Sequence, residues 1–360
     1  MSENLPLLFK SRFLSGLQCQ LRLWYQCYNR ELATPVSSMQ QVLFDTGHRV
    51  GQMATRRYPG GIMIVDDFMH HEAAIQSTLD AMKNPNVRAI FEAAYMEDGV
   101  RIRADILERR SAARWNLIEV KSSTRVKDEY LTDVAVQYYV LERAGINLER
   151  ICLMHIDRDY TYDGERLDLD NYLALEDLTA DAIRLQGFVR ENLDQLKDML
   201  SESYPPDIEP SRHCHKPHTC EFWDHCTRNK PEHWIFELSG IRQKRFMELK
   251  AMGIHRIDDI PDTFTLTALQ NRIRDCLIES REYIATNLND AITDVEYPVH
   301  FLDFETIMPA IPKYTNTRPY QTIPFQWSDH ILYPDGEIKH REYLCEEDHD
   351  PRADFTQSLL

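Results

Sequence analysis

The sequence predicts a mixed α/β fold in which a central sheet is flanked by helices. Residues 99–108 and Trp115–Lys121 alternate apolar and polar side chains, which is typical of two paired β-strands. Apolar residues at helical spacing occur on both sides of this hairpin, at 40–56 and 131–144. Strands and helices mixed in this order predict a layered domain.

Composition and charge narrow the class of protein. The 360 residues, 43% of them hydrophobic and 28% charged, predict a packed globular chain of two or three domains. No apolar run approaches membrane-spanning length and the N-terminus lacks a signal sequence, so we expect a cytoplasmic protein without a membrane partner. The net charge of -17 counts against a large basic surface for nucleic acid, but a local basic cleft would suffice. Five arginines do cluster: Arg101, Arg103, Arg109, Arg110 and Arg114.

The other elements of the first 230 residues follow from the same periodicities. Helical spacing predicts three more helices, at 14–28, 73–82 and 180–200. Short β-rich runs predict strands at Ala89–Glu97 and 151–156. Residues 204–231 are rich in Pro, His and Cys, which predicts an irregular segment held by something other than core packing.

The remaining third of the chain changes character twice. Helices are predicted at 235–252, with Gly253 as a C-terminal stop, and at 266–287. Period-two runs then predict three strands, at 298–306, 324–332 and 338–345.

Asp105, Glu119 and Lys121 are the clearest candidates for a catalytic site. Glu119 and Lys121 share one face of their predicted strand, and Asp105 lies late in the strand before it. Adjacent strands of a hairpin bring such side chains close together. Two carboxylates suit Mg²⁺ or Mn²⁺, and an adjacent ammonium can orient a water for attack on a phosphodiester. The spacing therefore indicates metal-dependent phosphodiester hydrolysis.

A surface ion pair is the alternative explanation of Glu119 and Lys121, because such pairs are common on exposed strands and the pattern also arises by chance. Two details count against it. The strand around Glu119 is strongly apolar, and it ends in a polar run at 122–124 rather than in a turn signal. Spacing alone leaves both explanations open.

The residues around this pattern resemble a known family. The run Arg101-Ile-Arg-Ala-Asp105-Ile-Leu, followed by Leu117-Ile-Glu-Val-Lys-Ser-Ser, is similar to the core of the PD-(D/E)XK nuclease superfamily. The likeness is to its RecB-like branch, which includes the iron–sulfur nucleases of CRISPR adaptation. It implies a restriction-endonuclease-like sheet and a DNA nuclease in which Asp105 and Glu119 bind the metal and Lys121 orients the nucleophile. It also implies roles for the backbone carbonyl of Val120, as a metal ligand, and for Gln137.

This chain departs from that family at two positions. Relatives often carry a metal-ligating His four residues after a Gly in an early helix, where this chain has Gly51 after Gly47. His48 lies on roughly the same helix face and is a candidate auxiliary ligand, although a lone histidine is more often a surface residue. A Tyr usually follows the Gln by four positions, and here that position is Leu141.

A cysteine cluster indicates a second kind of metal site. A disulfide framework is not expected in a chain of this length without a signal peptide. Cys214, Cys220 and Cys226 are close together and need one more ligand, for which Cys19 is the natural candidate. One N-terminal and three C-terminal cysteines around the catalytic core resemble the iron–sulfur RecB-like nucleases. The resemblance implies a [4Fe–4S] cluster that ties the first helix to the end of the domain.

Zinc is the competing explanation of the cysteine cluster, because histidines crowd the same segment: His213, His215, His218 and His225. Paired zinc ligands usually have two to four residues between them, and the five found here fit that rule poorly. Structural cysteines without a metal are a weak explanation for three in one irregular loop. The other four are expected to be ordinary thiols: Cys27, Cys152, Cys276 and Cys345.

Asp303 and Glu305 form a candidate second metal site on the strand predicted at 298–306. The two residues are two positions apart and therefore share one strand face, with apolar residues on the other. This pattern resembles the first motif of DEDD-type exonucleases, whose RNase H-like sheet holds two metal ions. An acidic strand pair without metal is the alternative. The sequence ends inside a predicted helix, so we expect a truncated exonuclease-like domain that is inactive alone.

These patterns predict three regions. They are a RecB-like nuclease domain at 1–230, a helical linker at 231–294 with a weak likeness to a helix–hairpin–helix, and the N-terminal part of a partial RNase H-like sheet at 295–360. The order resembles a bacterial family of uncharacterised fusion proteins. The leading hypothesis is a Mg²⁺- or Mn²⁺-dependent nuclease acting on single-stranded or frayed DNA. The alternatives are an inactive nucleic-acid-binding scaffold, motivated by Gly51 and the net charge, and a zinc-stapled protein-binding adaptor.

Overall fold

The computed structural model describes residues 5–66 and 70–360. Its larger sheet is mixed and has seven strands, in the order β2-β3-β4-β5-β6-β7, with β1 paired to β4. The strands are β1 (Leu8–Phe9), β2 (Ile62–Met63), β3 (Ala89–Glu97), β4 (Val100–Arg109), β5 (Trp115–Lys121), β6 (Leu148–Ile156) and β7 (Leu173–Asp177). The pairs β3-β4, β4-β5 and β6-β7 are antiparallel, and β5-β6 is parallel.

Helices cover both faces of this sheet. The first eight are α1 (Lys10–Gln18), α2 (Gln20–Tyr28), α3 (Ser38–Thr55), α4 (His71–Lys83), α5 (Asp128–Arg143), α6 (Leu169–Tyr172), α7 (Thr179–Arg184) and α8 (Gln186–Ser201). One core cluster joins the sheet to α1, α2, α4, α5 and α8, and a second joins the opposite face to α3. None of the helices in the described part of the chain has the length and apolar character needed to cross a membrane. The predicted central sheet flanked by helices is therefore confirmed.

Two helices that the apolar periodicity predicts as continuous are each divided into two shorter helices in the structure. The helix predicted at 14–28 is two helices that meet at Cys19, whose backbone is extended (φ -163°, ψ 119°). The helix predicted at 180–200 is likewise divided, at Leu185. Neither junction contains Gly or Pro, and both halves bury the same core face, so the pattern continues through the break.

The region after the larger sheet is mostly helical. Its helices are α9 (Trp223–Thr227), α10 (Gln243–Ala251), α11 (Ala268–Glu279) and α12 (Leu288–Thr293). The helix predicted at 235–252 is wrong in its first half, where a short 3₁₀ turn is followed by Gly240 with φ 69°. The helix predicted at 266–287 stops early because Ser280 is left-handed (φ 49°). A separate apolar core around Trp234, Phe246 and Ile257 holds this region together.

The three predicted C-terminal strands are confirmed as a separate antiparallel sheet. They are β8 (Val299–Ile307), β9 (Ile323–Leu332) and β10 (Ile338–Leu344), in the order β10-β9-β8, followed by α13 (Arg352–Leu359). The loop between β8 and β9 packs on the first domain. The hydroxyl of Tyr172 donates a hydrogen bond to the carbonyl oxygen of Ala310 at 3.0 Å.

Strands β3 and β4 share a kink at Glu92 and Asp105, which stand opposite each other. The register pairs residues on both sides of them, Phe91 with Ile106 and Ala93 with Ala104. The first pair packs into the core on one sheet face and the second pair into the core on the other. Residues two apart on a regular strand share a face, so both strands change face at this point. Glu92 has a left-handed backbone (φ 54°), which costs a non-glycine residue about 1–3 kcal/mol.

Candidate active site

The hairpin places carboxylates in one row across three strands. Ile106 of β4 lies opposite Ile118 of β5, so the next position of this register brings Asp105 opposite Glu119. On its other side, Asp105 stands opposite Glu92. Directly opposed residues of antiparallel strands have Cβ atoms about 5 Å apart. The structure therefore brings together the two predicted carboxylates and adds Glu92, which the sequence analysis did not select.

Glu119 is the centre of the cluster and is only 1% exposed. Its Oε1 accepts hydrogen bonds from Nζ of Lys10 and of Lys121, each at 2.7 Å, and its Oε2 accepts one from Nε2 of Gln137 at 2.8 Å. Burial opposes ionisation, but the two ammonium groups outweigh it and lower the pKa of Glu119 below its usual range. The side chain is thus a fixed, ionised carboxylate away from the surface.

Asp105 has the opposite electrostatic state. Its Oδ2 accepts a hydrogen bond from the backbone N–H of Val120 at 2.7 Å. Burial, and then repulsion from Glu119, raise the pKa of Asp105 to about 8. Asp105 therefore holds a proton at neutral pH until a further cation reaches it. Val120 contributes its N–H here, and the role of its carbonyl as a metal ligand stays a prediction.

Lys121 is held as a cation. Its Nζ donates to Oε1 of Glu119 at 2.7 Å and to Oδ2 of Asp133 at 2.5 Å, and it lies 5.4 Å from the ring centroid of Tyr130. Burial disfavours the charged form, but the neighbouring carboxylates outweigh it and raise the pKa of Lys121. At neutral pH this lysine is therefore a hydrogen-bond donor rather than a base.

Helix α5 brings Asp133 and Gln137 to the site, one turn apart on the same helix face. Gln137 is fully buried, and its Oε1 has no hydrogen-bond partner among the described residues. A lone buried acceptor is costly unless a water or ion completes it, so the site has a position for one. Asp133 was not selected from the sequence, although its i, i+4 spacing to Gln137 was a usable signal.

Lys10, at the start of α1, was also missed. Its Nζ lies 2.7 Å from Oε1 of Glu119 and 3.2 Å from Oδ1 of Asp133. Burial disfavours the charge, but Asp133 and Glu119 outweigh it and raise the pKa of Lys10. Lys10 and Glu119 are 109 positions apart in the sequence, so no local pattern could have revealed this contact.

Glu92 and His48 lie on the solvent side of the site. Both residues are exposed. Partial burial of its carboxylate raises the pKa of Glu92, while Arg103, Lys10 and His48 oppose that shift. A side chain at Gly51, the position where relatives of the resembled family carry a His, would meet open space, because no atom lies within 4 Å of a Cβ built there. Helix α3 therefore presents His48, but no ligand at residue 51.

The donor set fits a hard divalent cation. Asp105, Glu119 and Glu92 offer carboxylate oxygens, which Mg²⁺ and Mn²⁺ prefer. Such an ion would favour the ionised form of Asp105 against the burial, and then the repulsion from Glu119, that raise its pKa. In the part of the chain that the structure describes, no three His, Cys, Asp or Glu side chains are already arranged as a metal site. The ammonium groups of Lys10 and Lys121 balance the charge of Glu119 instead.

The four predicted cysteines line one small cavity, but among the described residues no three of them are arranged as a metal site. Cys19, at the junction of α1 and α2, lines it with Cys214, Cys220 and Cys226. Burial raises the pKa of Cys220 to about 12 and of Cys226 to about 11, so these thiols stay protonated without a bound cation. Of the neighbouring histidines, His213 lines the cavity, with its Nε2 3.5 Å from Sγ of Cys214.

Polar contacts independently tie the first two helices to the cysteine segment. Nε2 of Gln18 donates to the backbone carbonyls of His213 and His218, at 2.9 and 2.8 Å. Arg22 pairs with Glu221 at 2.8 Å. The soft thiol donors fit either an iron–sulfur cluster or zinc, which would add to this connection.

Asp303 and Glu305 are both exposed on β8. Oδ1 of Asp303 accepts a hydrogen bond from the backbone N–H of Phe304 at 2.9 Å. Within residues 5–66 and 70–360, no third metal-ligating side chain completes this pair. The second metal site at these residues stays a prediction.

One family model matches the C-terminal part of the chain. The family described as "Domain of unknown function (DUF2779)" matches residues 300–360, which include most of β8 and all of β9, β10 and α13. No curated protein matches the chain. A solved structure entitled "Crystal structure of SSO0001" is similar at 16% identity over 57% of this chain and 81% of that chain, with a TM-score of 0.27. At that TM-score, the likeness carries no argument about fold or function.

Proposed function

We propose that this chain is a metal-dependent nuclease that hydrolyses phosphodiester bonds of DNA with single-stranded character. The observation that carries the proposal is the cluster at the hairpin, where buried Glu119 accepts hydrogen bonds from Lys10, Lys121 and Gln137 and lies beside Asp105 of the neighbouring strand. The likeness of these segments to PD-(D/E)XK nucleases of the RecB-like branch supports it. The mixed sheet with helices on both faces is compatible with the restriction-endonuclease-like fold that this likeness implies.

Each residue of the cluster has a role in this proposal. Asp105 and Glu119, with Glu92 at the open side, hold Mg²⁺ or Mn²⁺, which when bound neutralises charge on the phosphate and activates water. Gln137 fixes the orientation of Glu119 through the hydrogen bond at 2.8 Å.

The two lysines act as cations. Asp133 keeps Lys121 protonated, so Lys121 donates a hydrogen bond that orients the attacking water or a phosphate oxygen. Lys10 adds a second positive charge close to where negative charge develops on the phosphate during cleavage.

A [4Fe–4S] cluster at Cys19, Cys214, Cys220 and Cys226 is part of the proposal, as a structural staple. When bound, it supplies a rigid link between the junction of α1 and α2 and the segment that ends the nuclease domain. Because Lys10 belongs to α1, this link also fixes one wall of the active site. Elemental analysis of anaerobically purified protein separates the two metals: iron with sulfide supports the cluster, and zinc alone supports a zinc-stapled adaptor.

The proposal is tested by anaerobic cleavage of labelled single-stranded and duplex DNA with Mn²⁺ and Mg²⁺. We expect the wild type to cut and Glu119→Gln to lose at least about 100-fold in rate, since it removes a charge that acts on the reacting phosphate through the metal. The matched control is Glu191→Gln, at an exposed position of α8, which should cut like the wild type. Circular dichroism verifies that both variants are folded. Cleavage by Glu119→Gln within about threefold of the wild-type rate would contradict the proposal.

A catalytically inactive nucleic-acid-binding scaffold is the second candidate. It is favoured by Gly51, which leaves α3 without a side chain where the resembled family often has a metal-ligating His. This candidate predicts binding that weakens steeply with salt, without metal-dependent cleavage, in folded wild-type protein that carries its cluster. The same cleavage assay therefore separates the two candidates.

A further inference from the structure

A polar cavity of about 740 Å³ lies beside the C-terminal end of β5. Ligand-binding cavities typically have volumes of about 300–1,000 Å³, so this cavity is large enough to hold a ligand. Two regions far apart in sequence form its walls. The first domain contributes Thr124, Arg125, Arg158 and Asp159, and the loop between β8 and β9 contributes residues 318–321.

The loop between β8 and β9 is anchored where it lines the cavity. The hydroxyl of Tyr320 donates a hydrogen bond to the carbonyl oxygen of Ser122, the residue directly after β5. The backbone of Tyr162 accepts from Asn316 N–H at 2.8 Å and donates to Thr317 O at 3.0 Å. Thr317 is fully buried. The cavity is therefore a built feature of the fold, and the segment matched by the domain of unknown function supplies one of its walls.

The cavity is positively charged although the chain carries a net charge of -17. Its lining contains Arg125, Arg158 and Arg318 against one carboxylate, Asp159. Arg158 lies 3.9 Å from that carboxylate. In the described ranges, neither Arg125 nor Arg318 forms an ion pair with a carboxylate. Exposed guanidinium groups without partners suit phosphate, which they bind through paired hydrogen bonds.

The cavity also lies close to the candidate active site along the chain. Arg125 follows Lys121 by four residues, so their Cα atoms are at most about 14 Å apart. Tyr130 lies between the two sites. The centroid of its ring is 5.4 Å from Nζ of Lys121. Burial raises the pKa of Tyr320, and the nearby Tyr130 raises it further. Proteins that bind single-stranded nucleic acids combine basic side chains with aromatic rings. The cations contact the phosphates, and the bases stack on the rings.

We propose that this cavity binds the phosphate backbone of single-stranded DNA beside the bond to be cut. The inference rests on the proposed function and names where its substrate is held. The C-terminal segment at 300–360 then acts as a wall of the substrate channel. A single strand is the occupant because its unpaired bases can stack on the aromatic ring that lines the cavity, that of Tyr320.

The test is binding of a fluorescein-labelled oligothymidylate in EDTA, measured by anisotropy over a range of salt concentrations. The double variant Arg125→Ala/Arg318→Ala removes two cations from exposed positions, so folding should be unaffected. Each phosphate contact contributes about 0.7 to the salt slope for single strands, so the slope should fall by about 1.4. The dissociation constant should rise about 25-fold at about 0.1 M salt. Arg190→Ala, an exposed arginine on α8 outside the cavity, is the matched control and should bind like the wild type.

An unchanged affinity and salt slope in the double variant would overturn the cavity proposal, even if the wild type cuts DNA. Loss of binding in the double variant would support it, even if the wild type cuts nothing, because EDTA removes cleavage from the measurement. Unlabelled oligothymidylate and polyglutamate are then compared as competitors at equal charge concentration. If polyglutamate competes as effectively as oligothymidylate, the proposal is overturned, since the occupant would then be an acidic protein.

Discussion

Replacing Lys10 with Met tests the electrostatics of the site most sharply, because the change removes a cation between two buried carboxylates. Glu119 and Asp133 are 1% and 3% exposed, and Lys10 contacts them at 2.7 and 3.2 Å. Breaking a buried ion pair costs about 3–5 kcal/mol. Lys121 and Gln137 still contact Glu119, so we expect the lower end, about 3 kcal/mol. For a domain of this size, that lowers Tm by about 6–12 °C.

The assay is thermal unfolding by circular dichroism with EDTA and with saturating Mg²⁺. A divalent cation supplies the missing positive charge, so Mg²⁺ should raise Tm more in Lys10→Met than in the wild type. Lys83→Met is the control, because Lys83 is exposed and its ion pair is with exposed Asp80 at 2.8 Å, a pair worth less than about 1 kcal/mol. A Tm of Lys10→Met within about 2 °C of the wild type would refute the reasoning that Lys10 balances this buried charge.

Three further predictions follow from the same contacts. Mg²⁺ affinity, measured by calorimetry, should rise about tenfold per pH unit up to pH 8 and then level off, because the ion displaces a proton from Asp105, whose pKa is about 8; a flat profile would contradict this assignment. Gln137→Leu should slow cleavage about tenfold or more while Gln186→Leu does not, because Gln137 donates to Oε2 of Glu119 and Gln186 donates instead to the carbonyl oxygens of Ala135 and Ala182. Cys220→Ser should lose bound iron and lower Tm while Cys276→Ser, outside the cavity, keeps both; equal iron in the two variants would argue against the staple.

Local patterns predicted the sheet better than the helices, for a physical reason. Strand β5 has the bounds expected from alternation and β3 those expected from its β-rich run, since successive side chains on a pleated strand point to opposite faces and a short local pattern is enough to define it. The helix breaks at Cys19 and Leu185 depend on tertiary contacts, since both halves bury one core face. The break at Gly240 was visible in principle, because Gly favours the left-handed backbone found there.

The same distinction applies to the candidate site. The spacing of Asp105, Glu119 and Lys121 on consecutive strands indicated that these three side chains converge, and Gln137 followed from the resemblance to the nuclease family. Lys10 comes from α1, far away in sequence, and only the packing of α1 against the sheet brings it in. Glu92 depends on the kink shared by β3 and β4, which has no Gly or Pro signal. The loop between β8 and β9 likewise reaches the cavity only through tertiary contacts.

The central claim is that the row of carboxylates at the hairpin binds a divalent cation, and anomalous scattering from crystals soaked in Mn²⁺ tests it most directly. We predict a manganese peak in contact with the carboxylates of Asp105 and Glu119, and no such peak in Glu119→Gln crystals soaked in the same way. Wild-type crystals without manganese at these two carboxylates, with Lys10 still bridging Glu119 and Asp133 at saturating Mn²⁺, would contradict the account.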